Sequence, residues 1–481
     1  MPRLPNPVRL TILWISLGLA RLGLVDAERG RRTVDLAWPR VVTGLARMSK
    51  AAADVAMVGV AVGPAAIAGV GFAGPYWGVT FTTGGGLAAG TIALVSQRFR
   101  AGEDRALGQA VRTSVLLVVA ISLPMAAVYW LVPTELVGLL SNDVETVRLG
   151  AAYLQVLALG VPFAAVNLVG SRMLVGADDA WTPMVVRAGG AGVNVGLNAV
   201  FIFGLEMGVV GAAAGTVLAN VAVTAVFAVG LARGRIPLVG PLPITVSLVG
   251  RYADRETARD LVSIGLPVIG RRTVWMASRF PMLAIVALFG PTVVAGYVIS
   301  RRIYGLMGTP GWGFGLAASS LVGQSLGEND EETASAYGHE IVRIAVLTYV
   351  VAAAFVAVFA TPIVELFVDN PTSPAVPVAV ALVYAACLSV LAQGVSRTIA
   401  GALDATGDTR WPFYSRVVGM FGVAIPLSYL GATTSLGLVG LYLAYVGQTL
   451  VPATVNYYRF STGRWRAISR RYRPASAMGE D

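Results

Sequence analysis

Apolar residues in this chain neither alternate nor form a single helical stripe; they run on, interrupted by short polar turns. The runs lie near 36–62, 72–97, 109–132, 148–172, 183–204, 207–232, 260–289, 292–323, 341–364, 376–402, 413–431 and 437–457. A helix that crosses a bilayer needs about 20 predominantly apolar residues, so the pattern predicts twelve transmembrane helices. A transmembrane barrel would alternate apolar and polar positions instead. The fold class is therefore all-α polytopic membrane protein. One run, Leu10–Ala20, is too short to span comfortably and is flanked by Arg9 and Arg21. It reads as an interfacial helix, with a thirteenth span or a signal-like segment as the other readings.

The turns carry the orientation. Alternate connections hold Arg98, Arg100, Arg105 and Arg112; Arg172 and Arg187; Arg233, Arg235, Arg251, Arg255 and Arg259; Arg343; Arg410 and Arg416. A basic tail follows, with Arg459, Arg464, Arg466, Arg470, Arg471 and Arg473. The intervening connections hold Glu135, Asp143, Glu145, Glu206, Glu365 and Asp369, against one base, Arg148. Basic loops stay in the cytoplasm. Both termini and the connection 233–259 are thus expected there, in a multi-pass protein of the plasma membrane.

The two halves repeat. Gly63-Pro64 and Ala68-Gly69 recur as Gly290-Pro291 and Ala295-Gly296, Gly84 and Gly86 as Gly311 and Gly313, and Gln97 as Gln324, all 227 positions on. Asp179 and Pro183 recur as Asp408 and Pro412, 229 positions on. Six spans per half is an even number, so the copies enter the membrane from the same side. They form two parallel six-helix repeats and two lobes, the arrangement of a transporter whose path lies between its bundles. The expected organisation is an N-terminal segment 1–35, an N-lobe 36–232 with spans 1–6, a cytoplasmic linker 233–259, a C-lobe 260–457 with spans 7–12, and a basic tail 458–481. Glycines and Pro310 in span 8 fit close helix packing, or a helix bent near Pro310 whose freed carbonyls line a cavity.

Composition narrows the chemistry. Charged residues are 13% of the 481, where soluble domains carry about 25%, which excludes a soluble enzyme. The one cysteine, Cys387, and one histidine, His339, leave no thiolate cluster, multi-His metal site or haem site. No phosphate-binding G-x-x-x-x-G-K-[ST] motif is present, and Lys50 is the sole lysine. The protein reads as no enzyme and as needing no cofactor. Its net charge of +10 records loops facing anionic lipid, so its partners are the bilayer and a small organic substrate, with no nucleic acid.

Ionisable residues at membrane depth are costly and mark function by default. Asp54 is the acid deep in span 1. Arg47, Lys50 and Asp54 share a helical face, so Lys50 is a candidate charge partner. Asp54 reads either as half of a structural ion pair or as a carboxylate answering to a proton or sodium. Burial disfavours the charged form of a carboxylate, which suits proton loading and release. Span 5 adds Asn194 and Asn198 at i, i+4, and span 6 adds Thr216 and Asn220 in the same relation. Each reads as a helix–helix hydrogen bond when taken alone. Together with Asp54 they make an oxygen-rich pocket for a coupling cation. Spans 7–12 hold no mid-span acid and several bases; Arg271, Arg272, Arg279 and Arg397 are candidate substrate-cleft residues and favour anionic groups.

These residues resemble the multidrug and toxic compound extrusion (MATE) family. The resemblance rests on Pro39 opening span 1, Asp54-x-x-Met57-Val58-Gly59, Gly63-Pro64 through Gly71, Leu94-Val95-Ser96-Gln97, the stretch Gly176–Met184, and Asn194-x-x-x-Asn198-x-x-x-Ile202-Phe203-Gly204. It covers about residues 36–460. It implies a monomeric secondary antiporter that exports organic compounds in exchange for H⁺ or Na⁺ by alternating access of two lobes. The family's N-lobe ion site maps onto Asp54, Asn194, Asn198 and Thr216. Asn198 stands where the family has a second acid, which weakens sodium binding and leaves Asp54 as the titrating group. The C-half arginines keep open a flippase or exporter of an anionic lipid-linked or oligosaccharide substrate. A non-transporting scaffold would need neither the repeat nor Asp54.

Overall fold

The computed structural model describes residues 6–237, 239–247, 249–368 and 371–472. Asp369 and Arg473, named above as loop and tail charges, lie outside them. The chain is helical almost throughout, apart from a two-residue antiparallel pairing of Arg235–Ile236 with Gly240–Pro241.

After the short helix α1 (Pro7–Arg21), the first half consists of α2 (Ala27–Val62), α3 (Pro64–Arg100), α4 (Asp104–Leu131), the short α5 (Pro133–Gly138), the bent pair α6 (Val144–Ala158) and α7 (Val161–Gly176), α8 (Trp181–Ala199) and α9 (Gly208–Arg233). The second half consists of α10 (Arg255–Ala277) with α11 (Arg279–Ala287), α12 (Pro291–Met307) with α13 (Thr309–Gly327), α14 (Glu331–Val358), the short α15 (Ala360–Glu365), α16 (Ala375–Thr406), α17 (Arg410–Val417) with α18 (Ile425–Thr433), α19 (Leu438–Ser461) and the short α20 (Trp465–Ser469). Taken with their breaks, these are twelve bars, six in each half. Among the described residues eight single helices are long and apolar enough to cross a bilayer, and α6 with α7, bent by 53°, makes a ninth. The bars of spans 1, 7 and 8 carry arginines within them.

The repeat is written in the backbone. Left-handed residues recur in register: Gly63 (φ 108) and Gly290 (φ 94), Gly102 (φ 72) and Asn329 (φ 58), Asp178 (φ 68) and Gly407 (φ 81), Gly208 (φ 54) and Gly437 (φ 53). Gly63 and Gly290 each supply a backbone turn that a side chain would resist, and each is followed by a proline whose fixed φ starts the next helix. The fifth bar of each half widens into a π-helix, at Val200–Gly204 and Val418–Ala424.

Helix ends depart from the apolar runs where caps decide them. Asp254 accepts from the Thr257 amide at 2.9 Å, so α10 starts inside the stretch 233–259. Asp179 accepts from the Thr182 amide at 2.9 Å and starts α8 ahead of Arg187. Arg172 and Arg187 are therefore helix residues rather than loop charges. The expected bend near Pro310 is a break at Gly308 between α12 and α13. Its polar groups are met by Tyr349, whose hydroxyl accepts from the Gly311 amide (2.7 Å) and donates to the Gly308 carbonyl (3.2 Å), and by Arg397, which donates to the same carbonyl (3.2 Å).

Contacts divide the chain into two compact units. One comprises Val42–Gly265 and the other Met1–Val41 with Leu266–Asp481. The opening segment of each half thus packs in the other half's unit. In the first unit a Cβ built on Gly265 would meet the Gly86 carbonyl oxygen at 3.0 Å. In the second a Cβ on Gly313 would meet that of Ala37 at 2.5 Å. These contacts are copies of one another, and both need the small residue for backbones to approach. The core of Val42–Gly265 gathers Val58, Val70, Leu154, Val161 and Ala212. That of the other unit gathers Tyr349, Leu382, Val390, Leu441 and Tyr445.

In the second unit α1 packs on α14, and its buried residues are Ile12, Ser16 and Leu19. At 15 residues it is about 22 Å long, short of a hydrocarbon core of about 30 Å. It leaves Trp14, Leu10 and Leu17 exposed. The segment is pinned by Arg9 on Asp35 (3.1 Å), by a bidentate Arg29–Glu340 pair (closest approach 2.6 Å), and by Arg343 on the Leu24 carbonyl.

Candidate functional site

The polar residues of spans 1, 5 and 6 meet inside the unit Val42–Gly265. Asp54 lies eight residues before the end of α2 at Val62, about 12 Å along the axis, and is 7% exposed. One carboxylate oxygen, Oδ2, receives Lys50 Nζ at 2.6 Å, one helical turn away. The other, Oδ1, accepts from Asn198 Nδ2 on α8 at 2.8 Å. Asn194, one turn earlier on α8, donates to Thr216 Oγ1 on α9 at 3.1 Å and to Asn198 Oδ1 at 3.4 Å. Its own Oδ1 is buried and has no hydrogen-bond partner among the described residues. Asp54, Lys50, Asn194, Asn198 and Thr216 thus form one connected chain across three helices.

The chain continues. Asn220 donates to the Thr216 carbonyl at 2.8 Å, and Asn167 on α7 donates to Asn220 Oδ1 at 3.2 Å. Thr224 donates to Asn167 Oδ1 at 2.9 Å. Local geometry lets α9 come this close. A Cβ on Gly215 would stand 2.0 Å from Asn198 Oδ1, so the absent side chain is the space the amide occupies. The π-helix beginning two residues after Asn198 changes the helical register there, a feature often found at functional sites.

This network borders a cavity of about 560 Å³, lined by Asp54, Lys50, Thr216 and Asn220 and also by Arg47, Tyr153, Asn167 and Arg187. Trp77 and Phe81 from α3 supply an aromatic wall. Among the described residues no cluster of His, Cys, Asp and Glu could hold a metal ion.

The four C-half arginines are in the other unit and do not join this network. Arg271 pairs with Asp404 (2.7 Å). Arg397 and Arg272 stack on Trp312, at 4.6 and 5.6 Å from the ring centre, and Arg279 stacks on Trp275 at 4.1 Å. Three of the four sit over indole faces, where a guanidinium is held by the ring's negative face. Arg301 stacks between Tyr304 and Tyr445 and donates to Gln448 at 3.4 Å.

Tyr153, Asn167 and Arg187 were not singled out from sequence. Asn167 lay in an apolar run, and its partners Asn220 and Thr224 are on another helix. Arg187 looked like a loop charge, and the Asp179 cap is the signal that places it in a helix. Gly215 carried no signal, because its contribution is a missing side chain.

Fold and site together define a multi-span membrane transporter with an intramembrane carboxylate. The MatE family model matches the chain twice, over residues 39–200 and again over 267–430. The chain belongs to the MatE family. It is 26% identical to a probable multidrug resistance protein NorM of Bradyrhizobium diazoefficiens, over 92% of this chain and 95% of that one. It is 28% identical to the multidrug resistance protein PmpM of Pseudomonas aeruginosa, over 87% of each. A solved MATE family transporter of the MOP superfamily in an outward-facing conformation superposes with a TM-score of 0.82 at 22% identity, covering 92% of this chain and 96% of that chain.

Proposed function

We propose that the protein is a secondary antiporter that exports small organic compounds across the plasma membrane in exchange for H⁺, working as a monomer with both termini in the cytoplasm and alternating access of its two six-helix halves. The observation that carries this is Asp54. It is a buried carboxylate on a cavity wall, held by Lys50 from its own helix and by Asn198 from another. A group tied to two helices transmits its charge state to both.

The coupling sequence follows from those contacts. Ionised Asp54 holds the Lys50 ammonium and the Asn198 amide. Protonation removes its charge, weakens the Lys50 pair and lets Oδ2 act as a donor instead of an acceptor. The α2–α8 contact then rearranges, which favours the state that releases substrate. Sodium is the less suitable ion: a hard cation wants several oxygens and net negative charge, while the one carboxylate here already has an ammonium at 2.6 Å. Asn194 Oδ1 is the remaining open oxygen, and Thr216 and Asn198 line the same pocket.

The names of the relatives, multidrug resistance proteins, support efflux of organic compounds. The test is gradient-driven efflux of a fluorescent organic compound from proteoliposomes, for wild type and Asp54→Asn, under an imposed pH or sodium gradient. Coupling through Asp54 requires pH-driven transport in the wild type and its loss in the variant. Transport that survives unchanged in Asp54→Asn sinks the reading, and transport driven by sodium alone replaces the ion.

A further inference from the structure

We infer that the cavity bordered by Asp54 takes the anionic group of an amphipathic organic compound between Arg47 and Arg187. The inference rests on the reading of this half as a transport site and adds the charge of what it carries.

The charges on the wall are uneven. Arg47, Lys50 and Arg187 line the cavity against a single acid, Asp54. Lys50 at 2.6 Å already offsets that acid. The two guanidiniums remain. Arg187, on α8, makes no hydrogen bond or ion pair among the described residues. Among the described residues Arg47, on α2, reaches only the ring of Phe81, at 6.0 Å from its centre. Both line the same cavity and carry the same charge.

Elsewhere this chain uses arginine differently. Arg29 has Glu340, Arg271 has Asp404 and Arg459 has Asp408, each within 2.7 Å, while Arg397 donates to the Gly308 carbonyl (3.2 Å), Arg301 to Gln448 (3.4 Å) and Arg416 to the Gln448 carbonyl (3.2 Å). An arginine that only fastened helices would have such a hydrogen-bonding partner, since an unpaired charge at membrane depth is destabilising. Two unpaired guanidiniums on one cavity wall are a receptor for a charge that arrives from outside. The planar guanidinium fork matches a carboxylate, sulfonate or phosphate group. The rest of the compound has the aromatic wall of Trp77 and Phe81 with Tyr153. The volume of about 560 Å³ falls within the range of about 300–1,000 Å³ usual for small-molecule pockets. A cation entering the same space would meet like charge.

The test is equilibrium binding to the purified protein in nanodiscs, with no ion gradient. Fluorescein serves as the anion, and a rhodamine methyl ester serves as the cation on the same xanthene ring. Wild type should bind fluorescein at least tenfold more tightly than the rhodamine ester. Arg187→Gln and Arg47→Gln should each weaken fluorescein at least tenfold without weakening the rhodamine ester, and Arg187→Lys should recover part of the loss. Rhodamine bound as tightly as fluorescein or more tightly overturns the inference, and so does fluorescein binding that Arg187→Gln leaves unchanged. If the glutamine variants do not fold, the wild-type preference and Arg187→Lys decide. An anionic phospholipid retained by wild type and lost from Arg187→Gln supports the same subsite with a lipid headgroup as its source; fluorescein preference without retained lipid supports a free anion. Failure of the coupling reading shows separately, as gradient-driven transport that survives in Asp54→Asn.

Discussion

At the scale of single residues, the site depends on one carboxylate and on the space given to its partner. Asn198 Oδ1 occupies the position of a side chain that Gly215 lacks. Gly215→Ala should therefore push the amide off Asp54 and reduce pH-driven efflux by at least tenfold, matching Asn198→Ala, while the protein still inserts and purifies as a single species. Asp54, Asn194, Asn198 and Thr216 were legible because polar residues at i, i+4 inside apolar runs stand out, and helical geometry puts them on one face. Arg187 was hidden because a base near the end of an apolar run looks like a loop charge until its cap is known. Asn167 was hidden because its partners, Asn220 and Thr224, lie more than fifty positions away.

At the scale of elements, polar caps and breaks hold an apolar structure in register. Asp330 caps α14 by accepting from the Thr333 amide at 2.8 Å. That hydrogen bond holds its carboxyl below the usual carboxylate range. A depressed value means the stabilisation is present above the ordinary carboxylate pKa of about 3.9 and is lost as pH falls through the lower, folded value. Asp330→Ala should cost about 1 kcal/mol at neutral pH, read as a lower thermal midpoint in detergent. The deficit should vanish in strongly acidic buffer. The break at Gly308 makes a second case. Tyr349→Phe would leave the Gly311 amide without its partner inside the membrane, and should destabilise by about 1–3 kcal/mol. Thermal unfolding followed by tryptophan fluorescence would detect it. Apolar runs marked all twelve bars, yet they concealed α11 beside α10 and the start of α2 at Ala27, because caps and turn residues set those ends rather than hydrophobicity.

At the scale of the whole molecule, the repeat extends beyond sequence to left-handed turns, widened fifth bars and mirrored glycine contacts. What the sequence did not disclose is that residues 1–41 pack with the second half and residues up to Gly265 with the first. No local pattern announces this, since the partner surfaces lie hundreds of positions apart. A chain cut at Gly250 tests it. The fragments 1–250 and 251–481 should each aggregate or be degraded when expressed alone, because each carries a segment that completes the other's unit. Expressed together, they should co-purify and recover transport.

The exchange also bears on how the protein is made. Residues 1–41 leave the ribosome well before the second half, and Arg29 waits for Glu340, 311 positions later. Until the second half is made, the opening helix lacks its contact with α14 and Arg29 lacks its carboxylate. A segment made before the second half is thus locked only once that half exists, so a late step of assembly falls on the residues that precede Val42.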